Sequence, residues 1–592
     1  MASTSSPAKG PRAAREPSES TALLGDHERG RSPAVSYASS TTSHVSPGSS
    51  ADKIPASEIS SATDRDGVTI DRGALFRIVL ILLPAVFVFN ANQSIVLATH
   101  QSIGSEFDAL DWSSWLFTGF SLAGAATQMV FGKLGDVYGY KPVILFSYLG
   151  FAVGCLIVAM ARSMLTLILG RVLSGSVGAG MTLLVSILIS ELVPIRESGT
   201  WRSYVNIAAT TGRGFGGPLG GWLADTLGWR WSFGFQVPML VVATFVCWRT
   251  LPSDLGKRQG QNNVPERDSE PDQDPDESGK LSRIDILGAS LLALFILLLL
   301  LPLEVGGEVS WSHPLIPGLV VGAAVFLVLF VCVEKRCKGE PILDLDLFKQ
   351  RDVVICLLII AFQSAAQLGM MFSVPLYFRV TQKVSNTEAG AHSLPSLFGN
   401  ALGGVFCGYF IKRTGKYKWL IYISTISSSV CYALLLTRWH GNTNWFQSFY
   451  ILPGGFGLGM TYSALFVATQ ASADPEHASA AVSTLFLSNA IGVIVGIASI
   501  SSAIKMVLRR SLDEKLFRLG LDAATRKEII SKAAANVEYT YQAKGEIGKA
   551  IVSSYVDGLL YGNGLSLIFV LIGFLLALCL KERRIGTTRS CR

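Results

Sequence analysis

Charge is scarce in this chain. Asp, Glu, Lys and Arg make up only 16% of its 592 residues against 49% hydrophobic, whereas soluble globular domains carry about 25% charge. With a positive mean hydropathy as well, that shortage excludes an ordinary soluble fold. The net charge of +7 is scattered among loops, so the chain lacks the concentrated basic face that nucleic acid requires. Cysteines number nine, several of them inside apolar runs (Cys155, Cys247, Cys356, Cys407, Cys431, Cys579) and none at a paired metal-ligand spacing. Structural disulfides and a metal centre are therefore not expected. A nucleophile–base pair and a nucleotide loop are missing too, so the chain is not read as an enzyme and no cofactor is expected. No signal peptide is recognised ahead of the first apolar run.

Apolar length is what the chain has in quantity. Fourteen runs are long enough to cross a hydrocarbon core of about 30 Å, near 74–98, 112–132, 142–161, 164–193, 203–224, 232–251, 284–303, 315–334, 353–377, 388–411, 418–437, 448–470, 479–508 and 555–580. The expected fold is an all-α polytopic membrane protein embedded in a lipid bilayer. Short loops carrying Lys133/Lys141, Arg196/Arg202, Lys257/Arg258, Lys335/Arg336/Lys338 and Lys412/Arg413/Lys416/Lys418 fall on one face, which the positive-inside rule makes cytosolic. The opposing short loops carry acids such as Glu106, Asp108, Asp111, Glu304 and Glu308.

Composition divides the chain further. Residues 1–72, rich in Ser, Thr, Pro, Gly and charge, read as a disordered cytosolic tail. Within it Glu19, Leu23 and Leu24 have the acidic-dileucine spacing that a sorting adaptor grips. Residues 73–251 form a first six-helix half, and the acidic stretch 252–283 a cytosolic linker. Residues 284–334 add two extra helices whose interiors, such as Leu291 to Leu301, are almost purely aliphatic, as suits a lipid-facing periphery. Residues 335–580 form a second six-helix half, and 581–592 a cytosolic tail. The long segment 509–554 between the last two runs reads as a non-cytosolic loop, with Leu516, Leu519, Ile529 and Ile530 among charges, the pattern of a short amphipathic helix. The halves are paired because Gly408 to Lys416 repeats weakly the glycine-punctuated turn Gly132 to Lys141, as in folds built from parallel repeats.

Polar residues deep in a span are costly, so each is a candidate for function. In the first turn, Gly139 permits a tight reversal, and Asp136 is suited to accept N–H bonds at a neighbouring helix start, with Gly132 and Lys141 completing a gate. In the first span Asn92 interrupts the apolar run, placed to bind substrate or to glue helices together. Arg171 in the fourth span is too costly to face lipid and reads as a coupling or pathway residue, or as a structural hydrogen-bond donor. Glu191 at the end of that span is set to pair with Arg196 or Arg202 as an inner gate, unless it is an ordinary helix-end charge. In the fifth span Gly217, Pro218, Gly220 and Gly221 read as a hinge, since proline removes a backbone donor and kinks a helix. Arg213 places a positive charge about ten residues into that span, suited to a carboxylate. The second half offers only Gln363, Gln367, His392 and Asn400, each a ligand candidate or packing.

These motifs resemble the major facilitator superfamily. Gly132, Leu134, Asp136, Gly139 and Lys141 match its loop G-x-L-a-D-r-x-G-r-k, with Val137 and Tyr140 where basic residues are usual. Asn90 to Val96 is similar to the D-x-T-I-V signature of the fourteen-span drug:proton antiporter branch, with Asn92 at the acidic position. Gly170 to Gly180 resembles R-x-x-x-G-x-G-x-G, and Gly217, Pro218, Gly220 and Gly221 match g-x-x-x-G-P-x-x-G-G. The resemblance implies a major facilitator fold of 14 transmembrane helices, two six-helix halves plus two extra, that transports small molecules by alternating access. Within the superfamily the chain looks like fungal vacuolar basic amino acid transporters, which implies amino acid movement across the vacuolar membrane by proton exchange. A plasma-membrane drug exporter and a nutrient sensor with little flux are the alternatives.

Overall fold

The computed structural model describes residues 72–109, 112–113, 115–251, 285–305, 313–336, 343, 345–474, 477–535, 537 and 539–583. The dileucine motif Glu19/Leu23/Leu24, the tail up to residue 71 and the linker 252–283 lie outside them. Among the described residues the regular elements are all helices, as expected where lipid offers backbone groups no partner. Eleven of the fourteen apolar runs each fall on a single helix, while 232–251, 388–411 and 448–470 each run across a short helical turn and the helix after it. The helices are α1 (Arg72–Glu106), α2 (Trp115–Tyr138), α3 (Tyr140–Met160), α4 (Met164–Leu192), α5 (Ile195–Leu227) and α6 (Gln236–Thr250), then α7 (Ile286–Val305) and α8 (Leu315–Glu334). They continue with α9 (Arg351–Gln382), α10 (Leu394–Thr414), α11 (Lys418–Arg438), α12 (Leu452–Ser472), α13 (Ala478–Arg518) and α14 (Gly545–Cys579). Eleven helices of the described residues are long and apolar enough to cross a membrane, and Leu287–Pro302 in α7 is a shorter apolar one. The two helices outside this set, α2 and α5, carry charge and many small residues because they face the other half of the protein.

The two halves use the same pairings. In the first, α1 packs on α5, α2 on α4, and α3 on α4 and α6; in the second, α9 packs on α13, α10 on α12, and α11 on α12 and α14. Glycine makes the tightest of these contacts. A Cβ at Gly216 would lie 2.3 Å from the Ala91 carbonyl, at Gly403 2.0 Å from that of Phe456, and at Gly492 2.2 Å from that of Ala361. Small residues at four-residue spacing, such as Gly212/Gly216/Gly220 and Gly455/Gly459, let backbones approach in this way. Of the glycines read as a hinge, only Gly220 is in close contact, against Ile95. A Cβ at Gly217 would come no nearer than 3.9 Å and at Gly221 would meet nothing within 4 Å. Pro218 lies inside the continuous helix α5. Gly216→Leu is therefore expected to destabilise the fold by about 3 kcal/mol or more and to lower the yield of monodisperse protein on size exclusion. Gly221→Ala is expected to leave yield unchanged, so that any loss of flux in that variant reports a hinge.

The extra pair departs from the expectation of a purely lipid-facing periphery. Helix α8 is largely exposed, but α7 buries Ala289, Leu292, Ile296 and Leu300 against Leu122, Ala125 and Met129 of α2 and Leu487 and Ile494 of α13. It thus covers a seam between the halves. The segment 509–554 departs further from its reading as a loop. Helix α13 runs on to Arg518, Ala523–Ala535 is a second helix, and α14 begins at Gly545. Leu512, Leu516, Ile529, Ala533 and Ile551 form a small core with Val380 at the end of α9, whereas Leu519 is exposed.

Candidate functional site

The halves meet most extensively along α5 and α10. Arg196 donates from Nε and Nη2 to the carbonyls of Lys412 (2.8 Å) and Arg413 (3.0 Å), and Lys412 pairs with Glu197 at 3.0 Å. Thr200 Oγ1 then donates to the Gly408 carbonyl, Ser203 Oγ to that of Gly404, and Asn206 and Thr210 to Oδ1 of Asn400 at 2.6 and 2.9 Å. The second glycine-punctuated turn therefore lies on the face that carries Arg196, Lys412 and Arg413. No contact of similar extent joins α1 to α9 at the opposite face.

A second lock closes the same basic face. Gly139, at φ 84°, is the single residue between α2 and α3, a conformation that favours glycine. Asp136 accepts from hydroxyls, those of Tyr140 (2.9 Å) and, across the seam, Ser479 (3.0 Å) at the start of α13. One turn back, Gly132 gives Ser483 room: a Cβ there would lie 2.5 Å from Ser483 Oγ and 3.4 Å from its Cβ. Glu191 does not pair with Arg196 or Arg202. Its carboxyl is bonded to the Tyr140 hydroxyl, because Arg196 reaches away to α10 and Tyr140 stands between the two acids. Lys141 Nζ donates to the Leu251 carbonyl.

Asn92 and Arg171 come together, but away from the seam. Asn92 is fully buried and Arg171 is 1% exposed. Arg171 donates through Nη1 to Asn92 Oδ1 and through Nε to the Leu116 carbonyl at 2.9 Å, with its guanidinium 4.1 Å from the Phe120 ring centre. Asn92 Nδ2 donates to Gln236 Oε1 at 2.9 Å and contacts Cys155 Sγ at 3.6 Å. This network ties five helices of the first half together, α1, α2, α3, α4 and α6. Gln363 and Gln367 play the corresponding part in the second half, donating to Ser428 and to Ser396 (2.8 Å), both buried. His392 lies outside α10, capping the short helix Asn386–Ala391. Its ring stacks on Phe378 at 3.6 Å, and Nδ1 bonds Ser448 Oγ at 2.6 Å, so it packs at the far end of the second half.

Arg213 remains half-buried on α5, and among the described residues its side chain makes no hydrogen bond or ion pair. Arg202, read as a short-loop charge and as a partner for Glu191, proves to lie in the seam. It is 5% exposed and points among Tyr462, Phe466 and Phe486 of the other half. Together with Ile360, Leu485 and Asn489 they line a narrow crevice between the halves. Its sequence signal was a charge directly ahead of the fifth apolar run, read there as part of a short basic loop.

At the far face Glu106 ties α1 to the start of the sixth span, bonded to the Trp229 indole and to Arg230 at 2.8 Å. The indole bond first, and then the guanidinium, hold its carboxyl below the ordinary carboxylate value.

Residues 82–497 match the family model described as Major Facilitator Superfamily. The chain is 26% identical over 522 residues to the vacuolar membrane amino acid uptake transporter fnx2 of Schizosaccharomyces pombe, covering 87% of this chain and 86% of that one. It is 28% identical to the multidrug resistance protein fnx1 of the same yeast, covering 86% and 93%. It is 26% identical to vacuolar basic amino acid transporter 2 of Saccharomyces cerevisiae, covering 81% and 99%. Among solved structures, the proton:xylose symporter XylE superposes with a TM-score of 0.56 at 12% identity, covering 87% of this chain and 98% of that one.

Proposed function

The chain belongs to the Major Facilitator Superfamily, and from that premise we propose that it moves amino acids, basic ones among them, across the vacuolar membrane in exchange for protons. One observation carries the mechanism: two halves with the same helix pairings are latched together at the basic face, while among the described residues α1 and α9 make no contact of similar extent at the other. A molecule closed at one end and built from two like halves can expose a central site to each side in turn by rocking. In this reading α1 to α14 are fourteen crossings, with α2, α5 and α7 completing the set, and the basic face and both termini are cytosolic. Glu19, Leu23 and Leu24 address the protein to the vacuole through an adaptor.

The substrate class rests on the likeness to fnx2 and to vacuolar basic amino acid transporter 2. Arg213, with no protein partner on its guanidinium among the described residues, draws the α-carboxylate toward the seam on entry. Asn92, which lacks a titratable proton and is locked to Arg171, does not carry the coupling ion. The proton belongs instead at the gate. The Tyr140 hydroxyl touches carboxyls of both Asp136 and Glu191, yet it has one hydrogen to give. With both acids ionised, one contact would oppose two lone pairs, so the closed latch holds one extra proton. Asp136 has the Ser479 hydroxyl as a further donor, which leaves that proton on Glu191. Its loss would set two carboxylates against each other and loosen the latch.

The test is uptake of labelled lysine and arginine by vacuoles isolated from cells with and without the protein, repeated after collapsing the pH gradient. Uptake should depend on both. Arg213→Ala should reduce it to background while the protein remains folded and correctly placed. Equal uptake without the protein discards amino acids, and indifference to the gradient discards proton exchange. The similarity to fnx1 favours a second reading, drug export, which the same vesicles test with a cationic dye.

A further inference from the structure

Arg202 is a buried cation with no anion. Among the described residues its guanidinium makes no hydrogen bond or ion pair, and Nη1 is shut off from solvent without a partner. Three aromatic rings from the other half surround it, with centres 5.0 Å (Phe486), 5.8 Å (Phe466) and 5.9 Å (Tyr462) away. Aromatic faces attract a cation, but they supply no acceptor for its N–H groups, and burying an unmatched charge is strongly unfavourable. Another cation, Arg213, lies eleven residues along the same helix. That is about three turns, and so nearly the same face. The polar group at the crevice, Asn489, has its Oδ1 occupied by the hydroxyls of Ser364 (2.6 Å) and Tyr462 (2.9 Å). The protein thus builds a positively charged, aromatic-walled crevice at the seam and leaves its negative partner to be supplied.

We propose that Arg202 is the residue that binds the carboxylate of the transported solute at the floor of the seam, with Arg213 above it as the entry charge. Arg202 offers an unused N–H to a carboxylate oxygen, and charge-assisted bonds of this kind are the strong ones. The aromatic walls exclude water from the pair. Because Tyr462, Phe466 and Phe486 belong to the second half and Arg202 to the first, a solute seated there touches both bodies that must rock. The proposal rests on the transport reading for its amino acid arm, but binding of a carboxylate at Arg202 stands or falls separately.

Two measurements on the purified full chain separate them. In the first, unlabelled L-lysine and L-lysinamide compete with labelled L-lysine for binding. The wild type is expected to prefer lysine at least tenfold, and Arg202→Gln to lose both binding and the preference. Equal competition by lysinamide in the wild type, or a preserved preference in a monodisperse Arg202→Gln, overturns the proposal. In the second, thermal stability is compared in sodium hexanoate and in hexanamide at matched ionic strength. Stabilisation by hexanoate in the wild type, absent in Arg202→Gln, supports carboxylate binding even if lysine fails to bind, an outcome that would discard the amino acid reading alone. If hexanoate has no effect while lysine is transported, the Arg202 site is refuted and the transport reading survives. Should Arg202→Gln not fold, the wild-type preference for lysine over lysinamide and for hexanoate over hexanamide decides.

Discussion

Transport by a variant carrying both Gly132→Cys and Ser483→Cys is expected to stop under oxidising conditions and to return on reduction. A Cβ at position 132 lies 3.4 Å from that of Ser483, close to the roughly 3.5–4.5 Å that a disulfide needs. The two positions belong to α2 and α13, one in each half, so the bond would join the bodies whose separation opens the basic face. The clash that a side chain at Gly132 would make with Ser483 Oγ becomes the covalent link itself. A disulfide cannot stretch, whereas the present latch consists of hydrogen bonds and an ion pair, each hydrogen bond worth about 1 kcal/mol, or up to about 3 where a charged group takes part. The expected effect is therefore all or none: flux below a tenth of the reduced value, with Ser483→Cys alone unaffected by oxidant. Full flux through a quantitatively cross-linked protein would show that this seam does not open, and the rocking account would fail.

Arg171→Leu should produce the second large effect, on stability first. Arg171 meets Asn92 Oδ1, the Leu116 carbonyl and the Phe120 face at once, all in the interior of the first half. Removing a buried charge relieves its desolvation, but only if its partners go with it. Left alone, the buried Asn92 Oδ1 costs about 1–3 kcal/mol, and the lost cation–π contact adds about 1. A net loss of about 2–4 kcal/mol is expected, seen as a drop in melting temperature and in folded yield. Adding Asn92→Leu, which removes the stranded acceptor, should recover most of that stability, because replacing both partners by apolar groups is close to neutral. The double variant also decides what the pair does. Recovery of stability and flux together makes it interhelical glue, and recovery of stability without flux makes it part of the coupling machinery.

Much of the architecture was legible one residue at a time. Hydrocarbon length marks a helix whatever it packs against, so the apolar runs and their order could be read directly. Charged short loops placed both glycine turns on one face: Arg196 at the start of α5 bonds the second turn, and Tyr140 of the first bonds Glu191 at the end of α4, just before α5 begins. Gly139 was readable because only the backbone of a one-residue reversal demands positive φ. The character of 509–554 was not readable, since leucines spaced along charged helices look alike whether they lie on lipid or on each other.

The chain's own sequence determined that this is a helical membrane protein in two related halves, because burial in lipid depends on the composition of each segment alone. Which way each helix turns its polar residues was decided only in the folded molecule, where apolar surroundings on every side leave no periodicity to read. That rotation put Asn92, Arg171, Gln363 and Gln367 into the interiors of the halves. It set Tyr140 between two acids, and it turned Arg202 into the seam, among three aromatic rings of the other half.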